Sequence, residues 1–120
     1  MRPKIVCLCG STRFKDYFVK VNFEETLCGN IVLTIGCDMK SDSELFGHMS
    51  KTEFENIKNK LELLHLHKVR LADEIYILNV DGYIGKSTRR ELLYALFLGK
   101  TIRFLEPIDW GKVILNKEIK

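Results

Sequence analysis

Near the end of the chain the sequence reads Gly82-Tyr83-Ile84-Gly85-Lys86-Ser87-Thr88-Arg89-Arg90-Glu91. Gly85-Lys86-Ser87-Thr88 are the letters that close a nucleotide-binding P-loop. That loop needs G-x-x-x-x-G-K-[ST], so that a long glycine turn can wrap phosphates with its amides. Val80 stands where the first glycine belongs, and Gly82 leaves the loop two residues too short. The chemistry that remains is simpler. Gly82 and Gly85 permit a tight turn, and Ser87 and Thr88 stand at a helix start, where free amides attract anions. Thr88-x-x-Glu91 reads as a capping box, with Glu91 bonding back to Thr88. A carboxylate one turn into such a helix can also face a sugar, and carboxylates are the nucleophiles of glycosyl transfer.

A second stretch has the same character. Gly10-Ser11-Thr12-Arg13 follows an apolar run, with Ser11 or Thr12 placed to cap the next helix. Arg13 adds a positive fork suited to an anion. Asp81 follows another apolar run and suits either a ribose hydroxyl, a leaving base, or a turn.

The elements that must position these groups alternate. Lys4–Cys9, Asn30–Gly36, Glu74–Val80 and Thr101–Glu106 read as strands, continuous and apolar as in parallel sheets. Phe14, Tyr17, Phe18, Val21 and Leu27 repeat at helical spacing, with Gly29 as the stop. Ser50-x-x-Glu53 is a capping box before a helix with Phe54, Ile57, Leu61 and Leu64 on one face. Another helix is expected from about Ser87 to Leu98. The segment from residue 37 to residue 50 reads as a loop, with or without one short turn of helix, and the tail as a fifth strand or a short helix.

This pattern predicts one domain over residues 1–120. It is an α/β, flavodoxin-like, three-layer α/β/α domain on a four- or five-stranded parallel sheet. The runs at Lys4–Cys9 and Glu74–Val80 are expected as neighbouring central strands. In such sheets ligands sit beyond the strands' carboxyl ends, at the loops Gly10–Arg13, Gly36–Asp38 and Asp81–Thr88.

Composition narrows the classes. The chain has 120 residues, 46% hydrophobic and 29% charged, with a net charge of +3. Its basic residues are dispersed, which gives no reason to expect a nucleic-acid polymer as partner. No apolar run approaches the ~18 residues of a membrane span. No signal-peptide pattern follows the N-terminus, and a cytoplasmic protein is expected. Cys7-x-Cys9 hints at metal binding, but no second Cys/His pair stands at zinc-finger spacing. Buried thiols are the expectation, with no metal and no cofactor.

The stretches VCLCGSTR, LADEIYILN and GYIGKSTRRELLYALFLGKTIRFLEP resemble the nucleoside 2-deoxyribosyltransferase superfamily, over nearly the whole chain. That superfamily includes deoxynucleoside 5′-monophosphate N-glycosidases, and the likeness leans to its bacterial and phage branch. Its Glu-[IL]-x-x-A and Gly-Lys read here as Glu91-Leu92-Leu93-Tyr94-Ala95 and Gly99-Lys100. The resemblance implies that Glu91 attacks the anomeric carbon of a 2′-deoxyribosyl group, and that water or a second base resolves the glycosyl-enzyme. It implies that Gly10–Arg13 and Gly85–Ser87 hold a 5′-phosphate, and that the protein is a homodimer or higher homo-oligomer. Where the family carries an Asp that assists the base or orients the sugar, this chain has His65, either a proton donor or a helix histidine. Arg89 and Arg90 either bind phosphate or face solvent, and their charge is expected to keep Glu91 ionised. A nucleoside or nucleotide is therefore the expected partner, cut or transferred. The alternative is a binding module on the same fold that catalyses nothing.

Overall fold

The computed structural model describes residues 2–35 and 47–114. The expected loop Gly36–Asp38, with Cys37, and most of the segment read as a loop from residue 37 to residue 50 lie outside them. Four strands form one sheet: β1 (Ile5–Cys9), β2 (Ile31–Leu33), β3 (Glu74–Ile77) and β4 (Thr101–Phe104). Every pairing is parallel and the order is β2-β1-β3-β4. β1 and β3 are the central pair, in register from Val6–Glu74 to Cys9–Ile77. The helices are α1 (Lys15–Leu27), α2 (Lys51–Leu71), α3 (Lys86–Phe97) and the short α4 (Trp110–Ile114).

Alternation along β1 divides the core. Val6 and Leu8 pack with Phe18 and Val21 of α1 and with Leu78. Cys7 and Cys9 point the other way, among Ile75 and Ile77 of β3, Val69 of α2, and Leu92 and Ala95 of α3. Helices therefore cover both faces of the sheet. Each fully buried Leu or Ile contributes about 1.5–3 kcal/mol relative to exposure.

The helix boundaries follow local chemistry. Ser50 caps α2 by accepting from the Glu53 amide at 3.2 Å. Gly99, at φ 71°, ends α3 in the left-handed region, and the Lys100 amide returns to the Ala95 carbonyl. The tail forms a helix over Trp110–Ile114.

Four details differ from the sequence expectation. The stripe Phe54, Ile57, Leu61 and Leu64 is not the core face of α2, since Leu61 and Leu64 are exposed and the helix buries His65 and Val69. α3 starts at Lys86 with Gly85 as its N-cap, so Thr88 and Glu91 form no capping box. α1 starts at Lys15, after a 3-10 turn over Thr12–Phe14 that Ser11 caps. Leu27, placed by periodicity on the core face of α1, is 70% exposed, because Phe18 and Val21 define that face.

Candidate active site

The chain leaves β1 for β2 on one side and reaches β3 and β4 on the other. The topological switch point thus lies between β1 and β3, where α/β sheets open a ligand crevice. Gly10–Arg13 leaves β1 there and the segment from Leu78 to Gly85 leaves β3.

These two loops touch. The Arg13 guanidinium lies 4.2 Å over the Tyr83 ring and donates from Nη2 to the Tyr83 hydroxyl at 3.3 Å. Phe14 meets the same ring edge-on. Gly10 lies so close to β3's exit that a Cβ there would come within 3.2 Å of the Leu78 carbonyl oxygen. At Gly85 a Cβ would fall 2.9 Å from the Tyr83 hydroxyl. Tyr83, a residue that sequence reasoning missed, therefore joins the two loops.

The residues expected to bind an anion are placed unevenly. Ser11 Oγ accepts from the Arg13 amide at 3.3 Å, and Thr12 is exposed. Ser87 Oγ donates to Glu62 Oε1 at 2.8 Å, and Arg90 reaches Glu62 Oε2 at 3.2 Å. A carboxylate of α2 thus sits at the start of α3, where the helix dipole favours negative charge. Thr88 is buried.

Asp81 is exposed and takes a left-handed turn conformation at φ 55°, one that Asp tolerates. Its amide donates to a Glu106 carboxylate oxygen. Asn79, 1% exposed, locks the same corner by donating to the Glu106 carbonyl at 2.8 Å and accepting from the Glu106 amide at 2.9 Å. Asn79 was not singled out in the sequence, though an Asn directly after an apolar strand is a turn-forming signal.

Glu91 and His65 are brought together. His65 Nε2 lies 4.0 Å from Glu91 Oε1, and both side chains are buried. His65 Nε2 also lies 3.4 Å from Cys9 Sγ and 3.7 Å from Cys7 Sγ. α2 supplies the histidine, α3 the carboxylate and β1 the two thiols. The four groups meet in the core at the carboxyl end of β1.

Burial dominates their electrostatics. Loss of water pushes Glu91 up to about 7, although His65 pulls the other way. Cys9 is raised well above a free thiol, first by its hydrogen bond to Cys7 and then by burial. The same hydrogen bond, received by Cys7, lowers Cys7 to about 6 against its own burial. Burial alone would lower His65, but its contact with Cys7 and the charge of Glu91 raise it on balance. Arg89 and Arg90 do not set the charge of Glu91 as expected. Arg89 donates to the Val113 carbonyl at 2.9 Å, and Arg90 pairs with Glu62.

Compared with family models, with curated proteins and with solved structures, the chain matches none.

Proposed function

We propose that the protein is an N-glycosidase or deoxyribosyltransferase acting on a nucleoside or its 5′-monophosphate, with Glu91 as nucleophile. The observation that supports this most is the Glu91–His65 pair, at 4.0 Å, with His65 also in contact with Cys9 at the carboxyl end of β1. In this reaction a Glu91 oxygen attacks C1′ of the sugar. The bond from C1′ to the base nitrogen breaks, and its electron pair leaves with the base, which takes a proton from solvent. Water then attacks C1′, releases the sugar and restores the carboxylate. With a second base in place of water, the sugar is transferred. His65 positions Glu91 and balances its charge. Asp81 offers its carboxylate to a ribose hydroxyl. Gly10–Arg13 receives the 5′-phosphate, with Arg13 leaving the Tyr83 ring to do so, and Gly85, Ser87 and Thr88 shape the opposite wall.

One observation favours a second reading, a binding module without catalysis. Glu91 is only 8% exposed and is enclosed by His65 and Cys9. Incubation with a panel of deoxynucleosides and their 5′-monophosphates, followed by chromatography of the free base, separates the two. The catalytic reading expects free base from at least one member. Binding of a panel member with no base released from any moves the binding module ahead. Arg13→Ala is expected to weaken a nucleotide at least about tenfold while leaving its nucleoside within about twofold, because a lost charge-assisted contact is worth roughly 1.5–3 kcal/mol. Equal losses count against the phosphate role.

The apolar faces support a homo-oligomer. Leu61, Leu63, Leu64 and Leu71 of α2 and Leu96 and Phe97 of α3 are exposed, Phe97 at 84%.

A further inference from the structure

Cys7 Sγ, Cys9 Sγ and His65 Nε2 all lie within 4.8 Å of one another, and all three residues are buried. The sequence showed a Cys-x-Cys pair without a partner. The fold supplies that partner from α2, 56 residues beyond Cys9. One strand face holds both thiols, because residues two apart point the same way. His65 Nε2 has a single proton or a single lone pair to offer, yet two sulfurs and a carboxylate oxygen converge on it. The same atoms also meet one another, for Cys9 bonds to Cys7, and Cys7 Sγ lies 3.9 Å from the Leu8 carbonyl oxygen.

The spacing suits a tetrahedral cation. Metal–sulfur bonds of about 2.3 Å and metal–nitrogen bonds of about 2.0–2.1 Å place sulfur and nitrogen about 3.6 Å apart around a tetrahedral zinc. The observed separations are 3.4 and 3.7 Å. A carboxylate oxygen on the same ion would stand about 3.4 Å from the nitrogen, and Glu91 Oε1 stands at 4.0 Å. Glu91 nonetheless stands outside the group of three whose ligand atoms all lie within 4.8 Å of one another, which leaves the fourth position of the ion to water. Two thiolates and an imidazole select a borderline-soft divalent ion such as zinc over magnesium or calcium.

The geometry points to a buried site for a thiophilic divalent cation, formed by Cys7, Cys9 and His65. Binding displaces the thiol protons to solvent and involves no redox change. A metal on His65 Nε2 occupies the nitrogen that positions Glu91, so the metal-loaded chain is expected to release no base. That consequence alone rests on the glycosyl reading; the site itself does not.

Cobalt(II) titration of the full chain, reduced and chelator-stripped under anaerobic conditions, tests the site directly. Thiolate-to-cobalt charge-transfer absorption and tetrahedral d–d bands are expected, saturating at one equivalent per chain and bleached by zinc. The Cys28→Ser/Cys37→Ser double variant keeps only Cys7 and Cys9 and should give the same spectrum, since Cys28 is exposed. Cys9→Ser should lose the charge-transfer band or weaken binding at least tenfold, with folding checked by circular dichroism. If Cys9→Ser fails to fold, the wild-type and double-variant titrations decide. Folded, reduced wild type with no charge-transfer absorption overturns the site. So does a spectrum that disappears in the double variant or survives unchanged in a folded Cys9→Ser.

Discussion

Glu91 shows how much one residue's meaning depends on a helix boundary. With Thr88 as N-cap, its carboxylate would satisfy a backbone amide. With Gly85 as N-cap, it lies a full turn deeper and turns into the protein toward His65 and Cys9. The sequence shows the residue types at this helix start but not which residue caps it, because Ser87, Thr88 and Gly85 all fit cap rules. His65 was legible as a candidate. Its convergence with Cys7 was not, since 58 positions separate them and only the packing of α2 on β1 joins them. Asn79 carries a prediction of its own. Its two bonds to Glu106 tie the exit of β3 to that of β4, and the side chain is buried. Asn79→Ala leaves backbone groups of Glu106 unpaired and should cost about 1–3 kcal/mol. A urea midpoint that falls with unchanged slope is the expected result.

At the scale of elements, the apolar runs and punctuation were largely readable. All four strands, the Ser50–Glu53 cap and the Gly99 stop appear where the sequence places them. What failed was the choice of face. In α1 both Val21 and Leu27 fit a helical stripe, but only Val21 meets the sheet. The stripe Val19, Phe23 and Leu27 is exposed instead. Ion pairs across elements were also hidden. Arg103 of β4 reaches Glu25 of α1 at 2.7 Å and Glu74 of β3 at 2.8 Å. Among the described residues, Arg103→Met leaves Glu25 with only Asn30 at 3.1 Å and Glu74 with only Lys4 at 3.5 Å. The guanidinium is part-exposed, which limits the expected loss to about 1–3 kcal/mol, read from denaturant midpoints. At the edge of β1, Arg2 donates to both Asp73 oxygens, and the Ile5 amide donates to Oδ2 at 2.8 Å. First the Arg2 bonds and then the Ile5 amide hold Asp73 well below the usual carboxylate range. Its contribution is therefore complete above its unfolded pKa of about 3.9, and is lost as pH falls through the depressed folded value. Asp73→Asn should flatten the loss of stability below pH ~4 and leave the slope at neutral pH unchanged. A melting-temperature series over pH 2–7 checks this, and an unaltered acid limb would contradict it.

At the scale of the molecule, the parallel sheet and the central β1–β3 pair were expected from the alternating elements and their apolar runs, whereas the full order β2-β1-β3-β4 comes from the structure. The described helices include none long and apolar enough to cross a membrane. A single-copy protein should bury its apolar helical stripes. Here α2 and α3 leave theirs open on one layer and α1 on the other. Light scattering at micromolar concentration should give at least a dimer mass. Leu64→Lys, placed on the exposed face of α2, should shift that mass toward the monomer without lowering the melting temperature by more than a few degrees. A monomer mass for the unaltered chain would remove the homo-oligomer from the account.

Glycosyl chemistry at Glu91 is the central proposal, and it has a direct chemical signature. Burial already favours a neutral group at this position, so Glu91→Gln should keep the fold within about 1 kcal/mol. The amide cannot form the glycosyl ester. The decisive measurement is therefore mass spectrometry of acid-quenched protein after incubation with deoxynucleoside 5′-monophosphates, beside chromatography of the released base. The account expects a deoxyribosyl-phosphate adduct on the peptide that contains Glu91 and free base from the wild type. It expects neither from a folded Glu91→Gln. Base release that persists undiminished in Glu91→Gln, or an adduct on another residue, would contradict it.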